Sequence, residues 1–192
     1  MLRKRDLMFS SKSVKEKCGF ISEAHGPHMK ILRYVGRGKR VLDVGCATGY
    51  LAERFVENDN DVYGNEVDSE AAMEARKHCK DVLVADIETL KELPYPEKFF
   101  DTVICADVLE HLKRPDQVLH MLKRYLKPEG LLIVSLPNIA YWRARLNLLL
   151  GKFDYEEVGI MDITHLRFFT IKTDGELVER CGFKKVKLEC CG

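Results

Sequence analysis

An α/β domain with a doubly wound, mostly parallel sheet flanked by helices is the fold this sequence predicts. Three observations lead to it. From Lys39 to Cys190, short apolar runs alternate with segments of helical spacing. The run Leu131–Leu136 is nearly all apolar, as in a strand buried on both faces. The run Val41-Leu42-Asp43-Val44 leads into a glycine turn, Gly45-Cys46-Ala47-Thr48-Gly49, that opens a helix. Open α/β sheets bind nucleotide-like ligands at such strand–turn–helix junctions.

Taken in order, residues 1–20 are polar and basic with little periodicity and read as an N-terminal tail, ahead of one domain over 21–192. A helix is expected from Ile21 to Val35, interrupted or started at Gly26-Pro27. After the first strand, Thr48 is the expected N-cap of a helix carrying Leu51, Ala52, Phe55 and Val56. Val62–Glu66 is a short second strand ending in an acid, and Asp68 or Ser69 caps the helix of Ala71, Ala72 and Ala75. Val82–Ile87 reads as a third strand ending in Asp86. The two prolines of Leu93-Pro94-Tyr95-Pro96 make that stretch a loop. Phe99–Leu112 reads as a fourth strand followed by a tight loop.

Pro115 begins a helix whose apolar stripe is Val118, Met121, Leu122, Tyr125 and Leu126, and Pro128-Glu129-Gly130 is the turn expected to end it. Leu131–Leu136 is the fifth strand. Residues 139–170 read as a substrate-side insertion, with a helix from Ile139 to Leu150 closed by Gly151. Within it, His165 and Arg167 alternate with Leu166 and Phe168 and share one side if the segment is extended. A last helix, Ile171–Cys181, ends at Gly182, and Lys184–Cys190 alternates as a sixth strand.

The glycine turn excludes two ligand classes. The dinucleotide pattern Gly-x-Gly-x-x-Gly, started at Gly45, meets Ala47 and Tyr50 at its second and third places. No Gly-Lys-Ser/Thr follows, so the turn is not a P-loop. What remains is an acidic-x-Gly-x-small-x-Gly pattern: Asp43, Gly45, Ala47, Gly49. This resembles the first motif of the seven-strand, Rossmann-like S-adenosylmethionine-dependent methyltransferases, with Ala47 where that family most often has a glycine. Asp107-Val108-Leu109-Glu110-His111 resembles the family's fourth motif. Asp162-Ile163-Thr164-His165-Leu166-Arg167-Phe168-Phe169-Thr170 resembles a segment of its small-molecule branch.

The resemblance implies S-adenosyl-L-methionine as cofactor and S-adenosyl-L-homocysteine as product. Its amino-acid end would meet Asp43, Gly45, Cys46, Ala47 and Gly49. Its ribose would meet Glu66 and Val67, a strand-end carboxylate being able to accept from both ribose hydroxyls. Its adenine would lie near Asp86 and Ile87, and Ala106, Asp107 and Val108 would border it. His111 and His165 are the catalytic candidates, since an oxygen acceptor must lose its proton and imidazole is a base near neutral pH. The implied activity is methyl transfer to a small-molecule hydroxyl. Two alternatives stay open, a cofactor-binding module without turnover and an aminopropyl transferase, although Asp101 and Asp107 fit the latter's paired acids poorly. The family's seventh strand has no counterpart in the sequence, which leaves an exposed sheet edge where a partner could pair.

Bulk properties narrow the partners. The 192 residues carry a formal net charge of +1, which gives no global case for nucleic acid or a membrane surface. No apolar run nears the roughly 20 residues of a membrane span. The seven cysteines are odd in number and lack zinc-finger spacing, so reduced thiols, a cytoplasmic setting and no metal are the expectation.

Overall fold

The computed structural model describes residues 27–189. The expected tail over 1–20, the expected helix start at Ile21 and Cys190 lie outside the described residues. Helix α1 (Pro27–Val35) precedes strand β1 (Arg40–Val44) and helix α2 (Tyr50–Val56). Then follow β2 (Asp61–Glu66), α3 (Ser69–Ala75), β3 (Asp81–Val84) and β4 (Phe100–Ala106). The chain continues through α4 (Pro115–Tyr125), β5 (Leu126–Ser135), α5 (Trp142–Leu149) and α6 (Ile171–Arg180).

The five strands are ordered β3-β2-β1-β4-β5, and all neighbours are parallel. The order reverses between β1 and β4, so the turns leaving those two strands diverge to opposite faces and open a crevice between them. Two apolar layers cover the sheet. Phe100, Leu109, Leu119 and Leu122 centre one, and Ile31, Phe55, Ala72 and Ala75 centre the other. Residues at alternate positions of β1 divide between them, Leu42 and Val44 to the first and Val41 to the second, which is why the strand must be apolar on both faces.

Several local expectations are corrected. Gly49, not Thr48, occupies the N-cap of α2, in the left-handed region at φ 80°, and no side chain caps that helix. Asp68 does cap α3, accepting from the amides of Glu70 at 2.7 Å and Ala71 at 3.1 Å. β3 stops at Val84 because Asp86 turns its carboxylate onto the Glu88 amide and starts a short 3-10 turn. Tyr125 passes directly into β5. Residues 127–130 loop out between the pairs Phe100–Leu126 and Thr102–Leu131, so the Pro-Glu-Gly turn interrupts a ladder instead of preceding it.

The helix of the insertion is shorter than expected, and its apolar stripe is uncovered: Trp142 is 51% exposed and Leu149 82%. Residues 184–189 keep their apolar alternation but form no strand. Val186 is 81% exposed there, and the segment is tied instead to α1, where Glu189 accepts from the Tyr34 hydroxyl at 2.6 Å. Alternation marks a strand only when a neighbouring backbone is free to pair with it.

Candidate functional site

The crevice is built around the turn after β1. The amides of Gly45 and Cys46 both donate to the Asn65 carbonyl, at 2.8 and 3.0 Å, and so clamp the turn to the end of β2. The Asn65 side chain donates to the carbonyls of Leu83 and Ala85, which carries the clamp on to β3. Gly45 (φ 68°), Ala47 (φ 48°) and Gly49 (φ 80°) are all left-handed. A Cβ on Gly45 would come within 2.7 Å of Val108, and one on Gly49 within 2.8 Å of the Ala75 backbone. The glycines thus keep the turn narrow at one end and let α3 approach it at the other.

Glu66 lies at the mouth of this turn. One carboxylate oxygen accepts from the Ala47 amide at 2.8 Å, and the other from the amides of Val67 and Asp68. A carboxylate offers about four lone-pair sites, so capacity remains for ribose hydroxyls. Val67 beside it is exposed. Asp43 sits under the turn, 2% exposed, and its Oδ2 has no partner among the described residues. Burial, with the nearby Glu66 charge adding to it, pushes its carboxyl up to about 7. Cys46 turns its thiol into the core against Gly64, where hydrogen bonding to Cys79 and burial raise it, so only its backbone faces the crevice.

The other rim is the end of β4. Ala106 is half-buried, and Asp107 adopts φ 52° while its carboxylate accepts from the Ser135 hydroxyl at 2.8 Å. Val108 packs over Gly45, so the ends of β1 and β4 touch at the point where the strand order reverses. Asp86 lies beyond the end of β3, where one carboxylate oxygen accepts from the Glu88 amide at 2.9 Å. Ile87 is 6% exposed and belongs mainly to the core, so little of it is available to a bound ring. The structure thus brings Asp43, the 45–49 turn, Glu66, Val67, Ala106, Asp107 and Val108 together. Asp86 and Ile87 stand at the margin.

Beside the β4 rim the two candidate histidines meet. Their ring centroids are 4.8 Å apart and edge-to-face. They converge on Glu110, whose carboxylate is 1% exposed. The Nε2 atom of His165 lies 3.9 Å from Glu110 Oε1, and Glu110 Oε2 has no partner among the described residues. One donor atom from each of Glu110, His111 and His165 falls within 4.8 Å of the others. The segment bearing His165 is a series of turns, not the extended run expected from its alternation. The Asp162 carboxylate accepts from the Thr164 amide and hydroxyl, and the Leu166 and Arg167 amides both donate to the Glu110 carbonyl. The Arg167 guanidinium donates to the Lys113 carbonyl, which anchors the segment a second time.

Electrostatics follow from this burial. Desolvation pushes the Glu110 carboxyl up to about 8, with Asp162 and Asp174 adding to the shift against the lowering effect of its backbone hydrogen bond. Burial lowers the His165 imidazole, and the neighbouring His111 lowers it further. Both rings are oriented by carbonyl oxygens near Nδ1, Ile160 at 3.2 Å for His165 and Thr164 at 3.3 Å for His111. Glu110 was not among the residues singled out from the sequence. The available signal was its place directly before His111, in a turn too tight to send both side chains to solvent.

A sequence profile for the family described as "Methyltransferase domain" matches residues 23–188. The ubiquinone biosynthesis O-methyltransferase of Actinobacillus pleuropneumoniae is 33% identical over 110 residues, 53% of this chain and 47% of that one. The enzyme of the same name from Psychrobacter arcticus is 30% identical over 128 residues, 64% of this chain and 49% of that one. The matches therefore span about half the length of these relatives. Among solved structures, an S-adenosylmethionine-dependent methyltransferase from Archaeoglobus fulgidus superposes with a TM-score of 0.63 at 24% identity, covering 84% of this chain and 72% of that one. One from Mesorhizobium loti gives 0.63 at 18% identity, covering 86% and 83%. At those identities the likeness is one of fold.

Proposed function

The chain belongs to the methyltransferase domain family, and we propose that it moves a methyl group from S-adenosylmethionine to a hydroxyl oxygen of a small-molecule acceptor. The observation that carries this reading is the adjacency of two features: a left-handed glycine turn at the sheet's switch point with the Glu66 carboxylate at its mouth, and a Glu–His–His cluster just beyond the end of β4. The turn suits the cofactor on its own terms. Glu66 keeps lone-pair capacity there, and Asp43 and Glu66 hold carboxylates at the ends of neighbouring strands. The relatives' activity as O-methyltransferases, carried in their names, favours oxygen as the acceptor atom.

When bound, S-adenosylmethionine supplies a methyl carbon already activated by its sulfonium charge. The chain's own work is to position, to exclude water and to deal with a proton. The 45–49 turn would hold the amino-acid end, Glu66 would accept from the ribose, and Val108 and Asp107 would form the wall on the β4 side. With no cation bound, the free ring nitrogen of His111 or His165 would take the proton that the acceptor hydroxyl gives up on methylation. Thr164 and Ile160 hold the two rings in place for this.

Two measurements test the reading. Glu66→Ala is expected to weaken cofactor binding by about 1–3 kcal/mol in calorimetry, the cost of hydrogen bonds to a charged group left unmade. Unchanged affinity removes Glu66 from the ribose site. His111→Ala and His165→Ala are expected to lower turnover of a labelled methyl donor with a hydroxyl acceptor by about 100-fold while cofactor affinity holds. Full activity in both variants, or transfer to amines alone, rejects hydroxyl deprotonation at this cluster.

A further inference from the structure

We propose that Glu110, His111 and His165 form a binding site for a divalent transition cation, one the sequence alone gave no reason to expect. Three observations on the structure carry it. First, the donors converge: one ligand atom from each residue lies within 4.8 Å of the other two. A cation with bonds of about 2.0–2.2 Å draws its ligand atoms to about 3–4 Å from one another, which small side-chain rotations supply here. Second, Glu110 Oε2 is buried and unpartnered among the described residues. A buried carboxylate oxygen left this way costs about 1–3 kcal/mol or more, and a bound cation is one of the few groups that satisfies it. Third, the ring orientation is that of a ligand. The His165 Nδ1 atom faces the Ile160 carbonyl at 3.2 Å, which places the proton on Nδ1 and leaves the Nε2 lone pair facing Glu110. Histidines that bind metals characteristically donate their other ring nitrogen to a carbonyl or carboxylate.

The donor set selects the class of cation. Two imidazoles and one carboxylate suit zinc, manganese, iron or cobalt, whereas magnesium and calcium favour oxygen ligands. Three protein ligands leave positions open, and the half-exposed side of the cluster is the His111 side. The Leu166 and Arg167 amides on the Glu110 carbonyl hold the third ligand, His165, over the other two, so the site is assembled from two distant parts of the chain. What the cation does for turnover rests on the methyltransferase reading: with the lone pairs of the cluster engaged as ligands, an acceptor oxygen at an open position would lose its proton more readily, and to solvent water instead of to a histidine. The site itself rests on geometry alone.

Cobalt(II) is the probe. The full chain is freed of metal by a chelator and titrated with cobalt(II), and visible absorption is followed beside thermal melting and cofactor affinity. The expected result is a saturable d–d absorption at one equivalent, a rise in Tm, and tenfold or greater loss of cobalt affinity in Glu110→Gln, His165→Gln and His111→Ala. His111 is only half-buried, so its variant keeps the test valid if the two buried ones fail to fold. Three results overturn the proposal: no saturable absorption in the wild type, affinity undiminished in folded variants, or a thiolate charge-transfer band placing cobalt on cysteine. Failure of methyl transfer with cobalt still bound in this pattern would reject the functional reading and leave the site standing.

Discussion

Single residues carry more of this site than their chemistry alone suggests. Ala47 holds φ 48° without being glycine, at a cost of about 1 kcal/mol for the left-handed conformation. Ala47→Gly is expected to raise unfolding free energy by up to about 1 kcal/mol, less the entropy that glycine adds to the unfolded chain, with cofactor affinity unchanged. Denaturant melts beside calorimetry check both halves. Both Asp43, next to the turn, and Glu66 were legible from the pattern of acids and glycines. Glu110 was not, because its importance lies in burial against a histidine supplied by a segment far along the chain, and no local pattern encodes that distance. Asp86 lies two residues past the end of β3, and the pattern could not show that one of its carboxylate oxygens caps its own turn.

Elements constrain one another most tightly where α3 meets the glycine turn. A methyl on Gly49 would sit 2.8 Å from the Ala75 Cα, a backbone atom that can move only with its helix. Gly49→Ala therefore pays twice, in φ and in displaced packing, and should lower stability by about 2–4 kcal/mol and loosen cofactor binding with it. A melt shift below about 1 kcal/mol would show that α3 yields easily. The strands β1 and β4 were readable from their apolar runs, Val41-Leu42 and Val103-Ile104-Cys105, and β2 from the short stretch before an acid and a helix cap. Residues 184–189 misled for another reason: the segment is held to Tyr34 and Lys30 of α1 through its polar Glu189, while Val186 and Leu188 of the apolar set stay exposed. The α5 stripe misled in the opposite sense, since helical spacing of apolar residues identifies a face but not what covers it. Trp142 and Leu146 remain about half exposed.

The whole molecule should respond to pH through its buried acids. Asp43 and Asp174 are raised to about 7 and Glu110 to about 8, chiefly by burial. Each folded pKa lies above the unfolded one, so between pH 4 and 8 the folded chain binds more protons than the unfolded chain. Stability therefore falls as pH rises through that window and levels off above it. Each group contributes at most about 4–5 kcal/mol across the range. Urea melts of the metal-free, cofactor-free protein from pH 5 to 8 should show this decline, and Asp43→Asn should flatten part of it. Stability that rises over the same interval would mean that these carboxylates are ionised and compensated in the folded state.

One contact has a consequence for how the molecule comes together. Arg167 grips the carbonyl of Lys113, 54 positions earlier, while its own amide and that of Leu166 hang from Glu110. The cofactor crevice needs only the turns that end β1, β2 and β4. The Glu–His–His cluster exists only once the later segment has swung back and latched. A protease cut in the exposed stretch 152–157 should therefore leave a protein that still binds S-adenosylmethionine but has come unfastened on the proposed acceptor side. Exchanging that stretch and its latch between relatives would then be a way to retune what is methylated without disturbing the donor.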